Sequence, residues 1–195
     1  MDHNFVTPFG FRSEGNEDLV RAAMLTNKFI NRYVANDASK GRWRVIGGTV
    51  GCGKTMLAKA VLRCAMSQTL MPAIRESRKA MTTPEAHMLK WVEIGADEHS
   101  EKDFAERLEN FVKLATLVVI DDIGAESDRY KSGVGRNRLL RLLEKCENKW
   151  LFATTNLSPN QYAERYDDRV ASRLKGAVSI WINAPDYRQI KKEQK

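Results

Sequence analysis

Apolar residues recur along this chain with two different periods, and the alternation between them sets the first expectation of the fold. Between Asn16 and Asn36, the positions Leu19, Ala22, Ala23, Leu25, Phe29, Ile30, Tyr33 and Val34 repeat at the spacing of one helix face. Trp43 to Gly47 is a short apolar run ending in glycines, which suits a buried strand. A helix is expected from about Lys54, with Leu57, Ala58, Val61, Leu62 and Ala65 inward, and Met71 to Met81 can continue as helix until Thr82-Thr83-Pro84. His87 to Ile94 predicts a strand. Ser100, followed by Asp103, predicts the N-cap of an acidic helix. Leu117-Val118-Val119-Ile120 predicts a buried strand, Arg138 to Cys146 an amphipathic helix, and Trp150 to Thr154 another strand. Ser158 predicts the start of a further helix, and Ala177 to Ile182 the last strand. Strands alternating with helices imply a mostly parallel sheet covered on both faces.

Composition narrows the class. The chain has 195 residues and 43% hydrophobic content, enough for one domain with its own core. It lacks a run of about 18 apolar residues and a secretory-type N-terminus, so a cytoplasmic protein with no membrane partner is expected. Three cysteines, Cys52, Cys64 and Cys146, lack metal-ligand spacing and argue against a disulfide scaffold. Trp43, Trp91, Trp150 and Trp181 fall in or beside predicted strands and are expected in the core. Net charge is +7, and from Glu126 onward 15 Lys/Arg stand against 9 Asp/Glu. Arg129, Lys131, Arg136, Arg138, Arg141, Lys145 and Lys149 form the densest stretch, which reads as a solvated helix face or as an attraction for nucleic acid.

Chemistry enters with Gly48-Thr49-Val50-Gly51-Cys52-Gly53-Lys54-Thr55, which fits G-x-x-x-x-G-K-[ST] at every fixed position. Such a loop wraps backbone N–H groups around phosphate oxygens, which requires glycine where side chains collide or φ is positive. The following helix turns its positive end toward the same phosphates, with Met56 in its first turn. Lys54 supplies a cation for the β/γ-phosphates, and Thr55 a hydroxyl for Mg²⁺. ATP with Mg²⁺ is therefore the expected cofactor. Cys52, inside the loop, reads as a small residue that fits, with a redox-sensitive thiol as the alternative. The strand 117–120 ends in Asp121-Asp122, the pattern in which the first acid holds Mg²⁺ and the second polarises the attacking water. Asn156 follows the strand 150–154, and in a parallel sheet its amide would lie near the γ-phosphate and orient that water.

Together these segments resemble the AAA+ ATPases of the DnaC/DnaI helicase-loader and IstB type. The resemblance rests on Gly48–Thr55, on LVVIDDIGAE at 117–126, on Thr154-Thr155-Asn156-Leu157 and on Asp168-Arg169-Val170-Ala171-Ser172-Arg173-Leu174. It implies an α/β fold, a three-layer αβα sandwich with a five-stranded parallel sheet of order 5-1-4-3-2 and no C-terminal lid domain. An arm and helix (1–40) would precede the ATPase core (41–195). The family assigns Arg173 as an arginine finger, with Arg169 the alternative, and Arg188 as a second sensor at the nucleotide. It also implies a homo-oligomer with ATP at its interfaces, a hexameric replicative helicase as partner, and DNA, single-stranded by preference. The IstB-like alternative is an ATPase regulating DNA transposition. Three features depart from the pattern: only about 40 residues precede the first predicted strand, where loaders usually carry a separate helicase-gripping region; the second acid is Asp122 where most AAA+ proteins carry Glu; and 95–116 leaves room for little more than one helix. A P-loop kinase would need an arginine-rich lid, which is not evident in the sequence.

Overall fold

Hydrophobic alternation along each strand decides which side chain enters which of two cores. The computed structural model describes residues 16–76, 86–94, 100–126 and 133–187. In chain order the elements are α1 (Glu17–Val34), β1 (Trp43–Gly48), α2 (Lys54–Glu76), β2 (Ala86–Lys90), α3 (Trp91–Ile94) and α4 (Glu101–Lys113). They continue with β3 (Leu117–Ile123), α5 (Val134–Lys145), β4 (Trp150–Thr155), α6 (Pro159–Arg165), α7 (Asp168–Lys175) and β5 (Val178–Ile182). The five strands pair in parallel in the order β2-β3-β4-β1-β5, the expected order read from its other edge.

On one face Ile46, Leu117, Val119, Trp150 and Phe152 meet Leu19, Phe29, Leu57 and Val61 of α1 and α2. On the other, Val45, Val118, Ile120, Leu151 and Ala153 meet Leu108, Leu139, Leu143, Tyr162 and Val170 of α4 to α7. The period of two along β3 and β4 thus feeds both layers, which is what a sheet buried on both sides requires. Phe29 anchors α1, its ring 5.6 Å from Trp150 edge-on and 5.4 Å from Phe152.

Caps start the helices where the sequence places them. Asn16 accepts from Leu19 N–H and Ser100 from Asp103 N–H, while Ser158 and Gln161 close a reciprocal capping box on α6.

Three expectations change. The strand expected over 87–94 ends at Lys90, and Trp91 opens α3, with its ring fully buried. The helix begun at Ser158 is two helices, α6 and α7, because Asp167 caps a second start by accepting from Val170 N–H. Trp181 is 41% exposed on the edge strand β5, while Trp91 and Trp150 are buried as expected. Helix α2 runs to Glu76; the rest of the Met71–Met81 segment lies outside the described residues, as does the arm over 1–15.

Candidate nucleotide site

Parallel strands bring their C-terminal ends to one edge, so the loops after β1, β3 and β4, which are adjacent in the sheet, meet there. The loop after β1 turns tightly into α2, with Gly51 at φ +75°. A side chain on Gly51 would also collide with the Asp186 carboxylate, so glycine is required there twice over. Lys54 is 5% exposed and folds back over the loop. Its Nζ donates to Gly48 O at 2.9 Å and Thr49 O at 2.6 Å, and lies 3.7 Å from Cys52 Sγ. None of the three is a carboxylate. Cys52, within the loop, is fully buried, which favours its reading as a small residue that fits. Val50 and Met56 stand exposed on the rim.

At the end of β3 the two acids separate. Asp121 stays in the ladder, buried, and its Oδ1 accepts from Thr55 Oγ1 at 3.2 Å and Thr154 Oγ1 at 2.6 Å. Pairing with β4 shifts register between Ile120 and Ile123, and Asp122 takes φ +63°. Such a bulge re-aims one side chain at a strand end, and Asp tolerates the left-handed backbone better than most residues. Thr154 Oγ1 accepts from Asp122 N–H at 2.9 Å while donating to Asp121, so one hydroxyl fixes both acids. Asn156 Nδ2 donates to Asp122 Oδ1 at 3.3 Å, and Asn156 Oδ1 is buried with no hydrogen-bond partner among the described residues. A buried acceptor left open, aimed from beside an acid, is suited to a water or a ligand donor.

The segment after β5 ties this edge together. Thr49 N–H donates to Ile182 O at 3.1 Å, Thr49 Oγ1 to Ala184 O at 2.6 Å, and Tyr187 N–H to Gly51 O at 3.2 Å. Asn183 in turn holds Asp18 and Asn16 at the start of α1. Sequence reasoning missed this strap, and it took Thr154 only as part of the motif before Asn156, without its bridge between the two acids; neither carries a spacing signal.

The two arginines of α7 sit away from this edge. Arg173 and Arg169 lie on α7, which packs on the opposite face of the sheet from α2, and pair with Glu144 and Asp167, each at 3.1 Å. Arg188 lies outside the described residues, as do Arg129 and Lys131.

The basic stretch needs correction as a bare positive face. Arg138 is 1% exposed, its Nε 3.0 Å from Glu101 and its guanidinium 5.0 Å above the Phe104 ring. Arg141 reaches the same Glu101 at 3.2 Å, Lys145 reaches Glu109 at 3.4 Å, and Arg136 stands 4.0 Å from Asp167. Acidic α4 answers α5, which charge counting along α5 does not reveal.

A cavity of about 420 Å³ opens between β1, β5 and the α6–α7 pair, lined by Leu157, Tyr162, Ser172 and Trp181 among others. It lies on the far face of the sheet from α2, and burial pushes the Tyr162 phenol up to about 12.

Strand order and the loop after β1 define a P-loop nucleotide-binding fold. Residues 45–176, more than half of the chain, match the ATPase family associated with various cellular activities (AAA), and the chain belongs to that family. No curated protein matches it. Among solved structures it is similar to the DnaC helicase loader, with TM-score 0.61 and 19% identity over 86% of this chain and 91% of that one. DnaI gives TM-score 0.54 and 20% identity over 86% of each chain. AMPPCP-bound DnaA from Aquifex aeolicus gives TM-score 0.58 and 17% identity over 97% of this chain and 56% of that one. At these identities the likeness is one of fold. Among the described residues no helix is long and apolar enough to cross a membrane.

Proposed function

We propose that this protein binds and hydrolyses ATP with Mg²⁺ and acts as a DnaC-like loader of a hexameric replicative helicase. The observation that carries the ATPase reading is the meeting of three adjacent strand ends: the Lys54 loop, the Thr55–Asp121 pair and the Asp122–Asn156 pair. The residues fit the cofactor. The loop 48–55 would cradle the phosphates, together with Val50, Cys52 and Met56 around it, and Lys54 would exchange its carbonyl partners for phosphate oxygens. Thr55 and Asp121 would hold Mg²⁺, which supplies charge neutralisation between the β- and γ-phosphates. Asp122 would take the proton of an attacking water, and Asn156, with its open carbonyl oxygen, would orient that water. Arg173 would act as an arginine finger in the neighbouring subunit's site, with Arg169 the alternative and Arg188 a second sensor. Similarity of fold to the DnaC loader over most of both chains supports the loading role. In this reading the arm and first helix, residues 1–36, grip the helicase, and the ATPase core (41–195) works as an oligomer on single-stranded DNA.

Asp122→Asn should bind ATP as the parent does and lower turnover by at least about a hundredfold, since it removes the base and leaves Mg²⁺ held. Turnover at the parental rate would remove Asp122 from the mechanism. The loading role is tested by mixing the protein with its native-source replicative helicase and ATP, and reading co-migration and delivery onto single-stranded DNA. ATPase stimulated by duplex instead of single strands, with no helicase bound, would turn the reading toward an IstB-like transposition regulator.

A further inference from the structure

Glu126 is a buried carboxylate that the proposed reaction does not use. It is 5% exposed and ends the turn that begins at Asp122. Its Oε2 accepts from Gly124 N–H at 3.0 Å. Its Oε1 accepts from Tyr166 OH at 2.6 Å and from Arg165 Nε at 3.4 Å, and Arg165 Nη2 also donates to the Glu126 backbone carbonyl at 2.6 Å. Burial, and then the adjacent carboxylate, raise the Tyr166 phenol well above its ordinary range, so it remains a donor.

Each end of this carboxylate leads somewhere specific. Within the turn, Ala125 N–H donates to Asp122 O at 3.1 Å, and Gly124 has φ +96°. A side chain on Gly124 would come within 2.6 Å of the Leu157 side chain, which follows Asn156, so the turn packs closely against the residue that continues the loop after β4. At the other end, Tyr166 is buried and directly precedes Asp167, whose Oδ1 caps α7 through Val170 N–H at 3.0 Å. Asp167 also pairs with Arg169. A surface turn could be closed by its own backbone. Burying a carboxyl group to bridge two elements is costly unless its oxygens find partners, and here both oxygens do, from both elements.

We propose that Glu126 is a positioning residue that couples Asp122, at the nucleotide site, to the start of α7, the helix carrying Arg169 and Arg173. This rests on the nucleotide reading above. A change at Asp122 on nucleotide binding moves the 122–126 turn, and the shared carboxylate carries it to Tyr166 and Asp167. The state of one subunit's own site then sets the pose of the arginines that this subunit offers outward.

Hydrogen exchange on the full chain, with and without Mg²⁺ and a non-hydrolysable ATP analogue, tests the coupling. The parent should show rates shifted at least about threefold at 48–56, 122–126 and 167–171. Glu126→Gln should keep the response at 48–56 and lose at least half of that at 167–171, because an amide cannot accept all the bonds the carboxylate accepts. Tyr166→Phe, which leaves the bond to Gly124 in place, should lose the 167–171 response while keeping that at 122–126. In steady-state kinetics Glu126→Gln should lower kcat at least about tenfold with KM within about twofold. A merely structural role would raise exchange without the analogue and leave the response at 167–171 intact, overturning the proposal. A parental response at 48–56 with none at 167–171 overturns it as well, whereas silence at 48–56 overturns the nucleotide reading itself.

Discussion

Two buried cations, Lys54 and Arg138, look alike in a count of charges and differ in what surrounds them. Arg138 faces the carboxylate of Glu101 and lies on the Phe104 ring. Its charge is answered within the fold, and it welds α5 to α4. The hydrogen bonds of Lys54 end on two backbone carbonyls and a sulfur, inside a loop lined with amide groups at a helix N-terminus. A buried cation whose contacts are dipoles is held at a cost that an arriving anion relieves; one beside a carboxylate is already neutralised. The difference teaches that charge marks a binding site where the fold leaves it unanswered.

The comparison breaks most sharply at Lys54. Lys54→Met should weaken ATP binding at least about a hundredfold, roughly 2.7 kcal/mol, read by calorimetry. Its unfolding free energy should stay level or rise, because an apolar stem replaces a buried charge. A loss of stability as large as the loss of affinity would mean that Lys54 is structural. Arg138→Met should do the reverse. Met keeps much of the stem's packing, while Glu101, half exposed, regains water, so the cost in urea unfolding should be about 1–2 kcal/mol. ATP affinity should remain within about twofold.

How much of this could be read beforehand depends on whether the signal was local. The P-loop and the paired acids are fixed spacings whose chemistry dictates residue type, and the strand-and-helix periods placed both cores. Asp122 and Asn156 meet, 34 positions apart, because parallel strands end at one edge. The break at Trp91 was hidden because a short apolar run fits a strand or a buried turn of helix equally well. Trp181 was misplaced because alternation does not distinguish an edge strand from a central one. The bridging role of Thr154 was not legible because a hydroxyl that bridges two acids looks like any β-branched strand residue. Arg138 was read as surface because its partner, Glu101, lies 37 positions upstream and belongs to another helix.

The smallest expected effect concerns the rest of α5. Arg141 and Lys145 are exposed and meet Glu101 and Glu109 across to α4, so each brings its charge to a surface already carrying the opposite sign. Exposed pairs of this kind contribute about 0–1 kcal/mol, and salt screens them. Replacing both by Ala should therefore change unfolding free energy by less than about 1 kcal/mol. It should also leave single-stranded DNA affinity nearly unchanged. A phosphate track would behave otherwise, because each lysine or arginine on it releases a counterion on binding. Losing two such contacts would flatten the slope of log affinity against log salt by about 1.4 for single strands. A slope changed by less than about 0.5 would place the DNA contact away from α5. A flattening near the full value would show that Arg141 and Lys145 exchange carboxylate for phosphate, and the line drawn between answered and unanswered charge would then hold only for buried groups such as Lys54 and Arg138.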